Sequence, residues 1–132
     1  MLLYAISLSS CIGSEFQREK ITDNYYLITT DNYNKDIYIG YKLKTGDFVG
    51  VLPSTVFSIG NNEKYIVAKQ HPFVFPVKVD STINYYIIPI IRDTLFPENG
   101  ILGPLTLEEF QMKKEELGII NVNFSKNISI NK

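Results

Sequence analysis

The feature that most constrains the fold is a series of short apolar runs separated by Asn, Asp, Gly and Pro over residues 25–91. In DIYIGYKL (36–43), Ile37, Ile39 and Tyr41 recur at every second position. A period of two is typical of a β-strand that has one face in the core and one face toward solvent. The composition agrees with a globular chain, because 45% of the residues are hydrophobic and 20% are charged.

The spacing of these runs predicts two hairpins. The first joins 36–43 to 48–52 through KTGD, where Gly46 can adopt a positive φ. The second joins 55–60 to 64–70 through NNE, whose Asn residues tolerate turn geometry. The run 84–91 is nearly all apolar, which is typical of a strand buried on both faces. Pro76 predicts that 73–79 is an edge strand or an extended loop.

Signals for a helix occur near the end of the chain. Thr106 and Glu109 form a capping-box pair, and Gly118 is a typical helix terminator. These residues predict a helix over about 106–117, followed by a last strand over 119–124. The predicted fold class is therefore α+β: a mainly antiparallel β-sheet built of hairpins, with one C-terminal helix packed on it.

The first residues differ from the rest. MLLYAISLSSC has an apolar run that passes through small residues into Cys11, without the basic start of a full secretory signal. Leu8-Ser9-Ser10-Cys11 resembles the bacterial lipobox, which implies that Cys11 is the lipidated residue. The expected organisation is a truncated lipoprotein signal over 1–10, a tether over 11–22, a β-rich domain over 23–125 and a flexible tail over 126–132.

Charge and residue counts argue against several function classes. Thirteen basic and fourteen acidic residues give a net charge of −1, and the basic residues are scattered, so nucleic acid is not an expected partner. One cysteine and one histidine are too few for a zinc cluster. The sequence contains no phosphate-binding glycine loop or nucleophile elbow. We therefore expect no enzyme activity, no cofactor and no metal.

The stretch EKYIVAKQHPF (63–73) contains the weak candidates for ligand binding, which are Lys69, Gln70 and the single histidine, His71. Catalysis or ligand binding by these residues would require a turn carboxylate beside them in a concave pocket. Pro72 restricts His71 to extended geometry, which favours a structural residue at the end of a strand.

Several segments resemble those of small uncharacterised bacterial lipoproteins of the Bacteroides type, which form a group with a domain of unknown function. They are LSSC, NYYLITTD, VFSIGNNEKYIVAKQHP, INYYIIPI and GPLTLEEFQMKKEELGI. The resemblance implies a compact domain that is anchored in the cell envelope through a lipid on Cys11 and faces the periplasm or the cell surface. It implies no activity.

Three hypotheses for function follow. The first is a non-enzymatic envelope lipoprotein that binds a partner, such as an envelope protein. The second is a small-molecule-binding or hydrolytic domain that uses Lys69, Gln70 and His71 with a turn carboxylate. The third is an immunity-type protein that neutralises a toxin.

Overall fold

The computed structural model describes residues 17–30, 36–74, 78–79 and 81–128. These form two large antiparallel β-sheets, a small two-stranded sheet and one short helix. The first sheet has the order β1-β2-β3-β4. Its strands are β1 (Gln17–Thr22), β2 (Tyr25–Thr29), β3 (Ile37–Lys42) and β4 (Phe48–Leu52).

The second sheet has five strands in the order β10-β9-β6-β5-β11. They are β5 (Val56–Asn61), β6 (Tyr65–Gln70), β9 (Asn84–Pro89), β10 (Leu102–Leu105) and β11 (Lys126–Asn127). The chain between β6 and β9 contains a separate two-stranded pair, β7 (Phe73–Val74) and β8 (Lys78–Val79). The helix, α1, spans Leu107–Glu116.

The two large sheets pack face to face, because each strand presents alternate apolar residues to the other sheet. In β3, Ile37, Ile39 and Tyr41 are buried between the sheets as the period of two predicts. In β6, Ile66 and Ala68 join this inter-sheet core, whereas Val67 points to the opposite face. The five-stranded sheet is therefore buried on both faces at its centre, with a layer on each side.

The helix covers the outer face of the five-stranded sheet mainly through Phe110, which packs against Tyr85 and Phe124. Its capping box is formed: the Thr106 hydroxyl accepts from the Glu109 N–H, and the Glu109 carboxylate accepts from the Thr106 N–H. Leu107 is about half exposed, so the buried edge of the helix is narrow.

The mainly antiparallel β architecture with one C-terminal helix agrees with the predicted class. The sheets are not the simple set of hairpins expected, because the chain changes sheet after β4 and because β6 pairs with β9. Which strands pair depends on contacts between residues that are far apart in sequence. A local period of two gives no information about those contacts. Residues 17–22, which the sequence places in a tether, form β1 and pair with β2.

The predicted strand over 119–124 is wrong. Ile119 and Val122 are buried, three residues apart, while Ile120 is 62% exposed. Backbone hydrogen bonds from Ile119 N–H to Lys114 O and from Val122 N–H to Ile119 O hold this segment as turns. The strand forms later, at Lys126–Asn127, inside the stretch that the sequence assigns to a flexible tail.

Candidate functional site

Lys69, Gln70 and His71 lie together at the end of β6 but do not form one site. Successive side chains on a strand point to opposite faces, so Lys69 lies on the helix side and Gln70 lies between the sheets. The Lys69 Nζ is 4.6 Å from the centre of the Phe124 ring. This contact is a cation–π interaction on the outer face of the sheet.

Gln70 is a structural residue, 3% exposed. Its Nε2 donates to Pro53 O over 2.8 Å. Its Oε1 accepts from Asn84 Nδ2 at 3.1 Å and from the Tyr86 hydroxyl at 3.4 Å. The amide therefore satisfies three polar groups, one at Pro53 and two in β9, and has little capacity left for a ligand.

His71 is held by its neighbours. Its backbone N–H and C=O both pair with Thr55. The imidazole stacks on the Phe57 ring with centres 4.1 Å apart, and its Nδ1 lies 3.0 Å from Thr82 O, which makes Nδ1 the donor of that bond. Among the described residues no carboxylate pairs with His71, and no three His, Cys, Asp or Glu side chains gather as a metal site. Cys11 lies outside the described residues.

A concave pocket lies at one end of the sandwich. Its walls come from Asn24, from residues 41–45 at the end of β3 and the turn after it, and from residues 93–95 in the loop after β9. We call it the β3-end pocket. Its volume is about 220 Å³, below the range of about 300–1,000 Å³ that holds drug-sized ligands. The pocket is therefore large enough only for a molecule smaller than a drug-sized ligand.

Two contacts fix the loop after β9 against the first sheet. The Tyr25 hydroxyl donates to Pro89 O and accepts from the Ile91 N–H, both over 3.1 Å. The Arg92 guanidinium binds the Asp23 carboxylate through two bonds of 3.2 and 3.3 Å. Burial raises the pKa of Tyr25 above 10.0, so this hydroxyl keeps its proton at neutral pH. These hydrogen bonds hold the start of the loop whose residues 93–95 form one wall of the pocket.

Tyr41 is the unusual residue of the β3-end pocket. It is 1% exposed and its ring meets the Tyr25 ring edge to face at 5.0 Å. Its hydroxyl is buried and has no hydrogen-bond partner, the only such side-chain atom within the described residues. Buried polar atoms are nearly always paired, so this hydroxyl is an exception within the core between the sheets.

The mouth of the pocket has both charge and apolar surface. The Lys44 Nζ lies 3.8 Å from the Asp93 carboxylate, and both side chains are largely exposed. Beside them Leu95 is 72% exposed and Phe96 is 59% exposed. Neither Tyr41 nor this loop is predicted from the sequence to be functional. The available signal was the apolar pair Leu95-Phe96 inside the turn-rich stretch RDTLFPENG (92–100).

A family model described as "protein of unknown function (DUF3997)" matches residues 22–129, which is most of the chain. The chain belongs to the DUF3997 family. The expected relation to a domain of unknown function is therefore confirmed. No curated protein and no solved structure matches the chain.

The part matched by the DUF3997 model includes every residue that lines the β3-end pocket, and also Leu95 and Phe96. Cys11 precedes it, so the family match does not test the lipid anchor. In the part of the chain that the structure describes, no helix is long and apolar enough to cross a membrane.

Proposed function

We propose that this DUF3997 protein is a non-enzymatic binding domain of a bacterial cell envelope, anchored through a lipid on Cys11, and that its partner is an envelope protein. The observation that carries the binding role is the exposed pair Leu95 and Phe96 at the end of the sandwich. We call these two side chains the 95–96 surface. Contiguous exposed apolar side chains are a feature of protein interaction sites.

The charges around the 95–96 surface favour a protein as the partner. Arg92 pairs with Asp23, and Lys44 pairs with Asp93, so the two ion pairs beside the apolar residues have no net charge. Protein interfaces have an apolar centre with a polar rim, and Phe is enriched at their cores. An anionic lipid surface would instead favour a cluster of four or more unpaired basic residues.

The positions of Lys69, Gln70 and His71 support binding over catalysis. A hydrolytic site would need a base, a nucleophile and an orienting group within hydrogen-bond reach of one another. Here Lys69 and Gln70 lie on opposite faces of a sheet, and the His71 ring nitrogen is engaged by Thr82 O. The same three residues serve the packing of the β6 end.

Photocrosslinking tests the surface directly. Phe96 is replaced by p-benzoylphenylalanine, and Met112, which is 66% exposed on the helix, is replaced in a second variant as the matched control. We expect one envelope protein to crosslink at position 96 but not at position 112. That protein, once purified, should bind the Leu95→Ser variant at least about tenfold more weakly than the wild type. Equal crosslinking at both positions, or none at 96, contradicts the proposal.

The anchor is tested separately. Cells that express the gene with its upstream reading frame are fed an alkyne fatty acid, and the wild type is compared with Cys11→Ser. We expect label on the wild type, found in the membrane fraction, and none on Cys11→Ser. An unlabelled wild type would exclude the lipid anchor but would leave the 95–96 surface to be judged by its own crosslinks.

A further inference from the structure

The first sheet has an outer face, turned away from the second sheet, that combines aromatic rings with basic side chains. Alternate residues of β2 and β3 are buried between the sheets, which places the residues between them on the outer face. The pairing of β1 with β2 and of β4 with β3 adds side chains from both edge strands. We call this surface the aromatic–basic face, and its members are Arg18, Lys20, Tyr26, Tyr38, Lys42 and Phe48.

Contacts within the aromatic–basic face extend across the whole sheet. The Arg18 guanidinium lies 4.7 Å from the centre of the Phe48 ring, although these residues come from opposite edges of the sheet. The Tyr26 and Phe48 rings meet edge to face at 5.2 Å. The three rings are partly exposed and the three basic side chains are exposed, so the face presents ring edges beside cationic groups.

The charges on the two sides of the sandwich are opposite. Glu19 lies between two of the basic residues in sequence, but it points to the opposite face of β1 and pairs with Lys126. Asp36 and Asp47, just before β3 and β4, each accept a hydrogen bond from a threonine hydroxyl. The helix, on the far side of the second sheet, has four glutamates and two lysines. A negatively charged surface would therefore attract the aromatic–basic face and repel the helix.

The position of Cys11 indicates which negatively charged surface this is. Cys11 lies six residues before Gln17, where β1 begins. An extended chain spans at most about 3.3–3.6 Å per residue, so these six residues reach at most about 20 Å. A lipid on Cys11 would hold β1, an edge strand of the first sheet, within about that distance of a bilayer. This step rests on the lipid anchor proposed above.

We propose that, when Cys11 is held at a bilayer, the aromatic–basic face lies against anionic lipid headgroups. The cationic groups of Arg18, Lys20 and Lys42 lie among the phosphates. The aromatic rings lie at the level of the headgroups, where a tyrosine places its apolar body and its polar tip in suitable surroundings. Binding to a bilayer without an anchor would need a larger basic cluster. Here the acyl chain holds the domain and the aromatic–basic face sets its orientation.

The test uses the full chain coupled to vesicles. Cys11 is the only cysteine, so a maleimide lipid attaches the chain at that residue whether or not cells lipidate it. The chain has no tryptophan, so Phe48→Trp introduces a single fluorescent reporter on the aromatic–basic face. Met112→Trp, on the exposed side of the helix, is the matched control. The vesicles are phosphatidylcholine with phosphatidylglycerol, or phosphatidylcholine alone, and a lipid spin-labelled at its headgroup quenches nearby tryptophan.

We expect quenching at position 48 to exceed that at position 112 at least about threefold on the anionic vesicles, and the difference to shrink on phosphatidylcholine alone. Lys20→Gln combined with Lys42→Gln should lower the quenching at position 48 to its value on phosphatidylcholine. Lys64→Gln combined with Lys113→Gln makes the same change of net charge elsewhere on the domain and should leave that quenching unchanged.

The wild type gives a second measurement that needs no reporter. A water-soluble acylating reagent should modify Lys20 and Lys42 more slowly on the anionic vesicles than in the free chain, and Lys64 and Lys113 at unchanged rates.

Equal quenching at positions 48 and 112 on the anionic vesicles overturns the proposal, as do unchanged acylation rates at Lys20 and Lys42. Without that quenching, a crosslink from p-benzoylphenylalanine at position 48 to an envelope protein would make the face a protein interface instead. A missing fatty-acid label in cells bears on the anchor alone, because coupling to vesicles decides the orientation by itself.

Discussion

The hydroxyl of Tyr25, in the first sheet, donates a hydrogen bond to the carbonyl oxygen of Pro89, at the end of a central strand of the second sheet. The Tyr25 hydroxyl oxygen also accepts a hydrogen bond from the Ile91 N–H. One side chain thus connects the two sheets and sets the start of the loop that forms a wall of the β3-end pocket.

Tyr25→Phe should therefore destabilise the protein. The substitution keeps the ring but leaves the Pro89 carbonyl and the Ile91 N–H without their partner, at a cost of about 1–3 kcal/mol. Urea unfolding measures this loss. Tyr41→Phe is the matched control, because it removes a hydroxyl that has no partner and should not lower stability. Equal losses in the two variants would contradict the assignment of these hydrogen bonds.

Gln70→Leu should also destabilise the protein, by about 2–4 kcal/mol, because it leaves Pro53 O, Asn84 Nδ2 and the Tyr86 hydroxyl unpaired. The adjacent substitution Lys69→Leu removes only a cation–π contact and should cost about 1 kcal/mol or less. Chemical denaturation of both variants compares the buried amide with its partly buried neighbour. A larger loss of stability in Lys69→Leu than in Gln70→Leu would contradict the structural role assigned to Gln70.

Local patterns predicted the strands because each strand has its own alternation. Residues 48–52 form β4 with the bounds expected from sequence, and the alternate positions of 36–43 are buried as predicted. The capping box at Thr106 is equally local, since its partner is three residues away. In each case the information that decides the structure lies within a few residues.

The site could not be predicted in this way. The β3-end pocket joins Tyr41 to residues 93–95, which are about fifty positions later in the chain, and the contact exists only because the sheets pack together. A tyrosine with period-two neighbours looks like any core residue until its hydroxyl is seen to be unpaired. The turns over 119–124 were missed for a related reason, because an alternating pattern such as IINVNF also fits residues buried three apart.

The buried tyrosines predict how stability changes in alkali. Burial raises the pKa of Tyr86 above its ordinary 10.0, so the folded chain keeps the proton after the unfolded chain has lost it. The stability is intact below pH 10.0 and falls as the pH rises above that value. Urea midpoints measured between about pH 9 and about pH 11 should decline, and less steeply in Tyr86→Phe. An unchanged slope in that variant would show that other groups cause the decline.

Gly60 provides the sharpest test of how the C-terminal segment packs. A Cβ at this position in β5 would lie 1.9 Å from the carbonyl oxygen of Asn123. That backbone is held by the bond from Ser125 N–H to Ile59 O, 2.9 Å long, so it cannot move away without breaking the pairing that continues into β11. Gly60→Ala should therefore destabilise the protein by about 3 kcal/mol or more.

Gly50, in β4, is the matched control, since a Cβ there would meet nothing within 4 Å. Gly50→Ala should be neutral or stabilise the protein by about 0.5 kcal/mol, because alanine restricts the unfolded chain. Urea unfolding gives both values, and hydrogen exchange at Ser125 and Ile128, whose N–H groups donate to Ile59 O and Phe57 O, reports the β5–β11 pairing. Similar stabilities for the two variants, with unchanged protection at Ser125, would mean that residues 123–127 do not pack on β5 in solution.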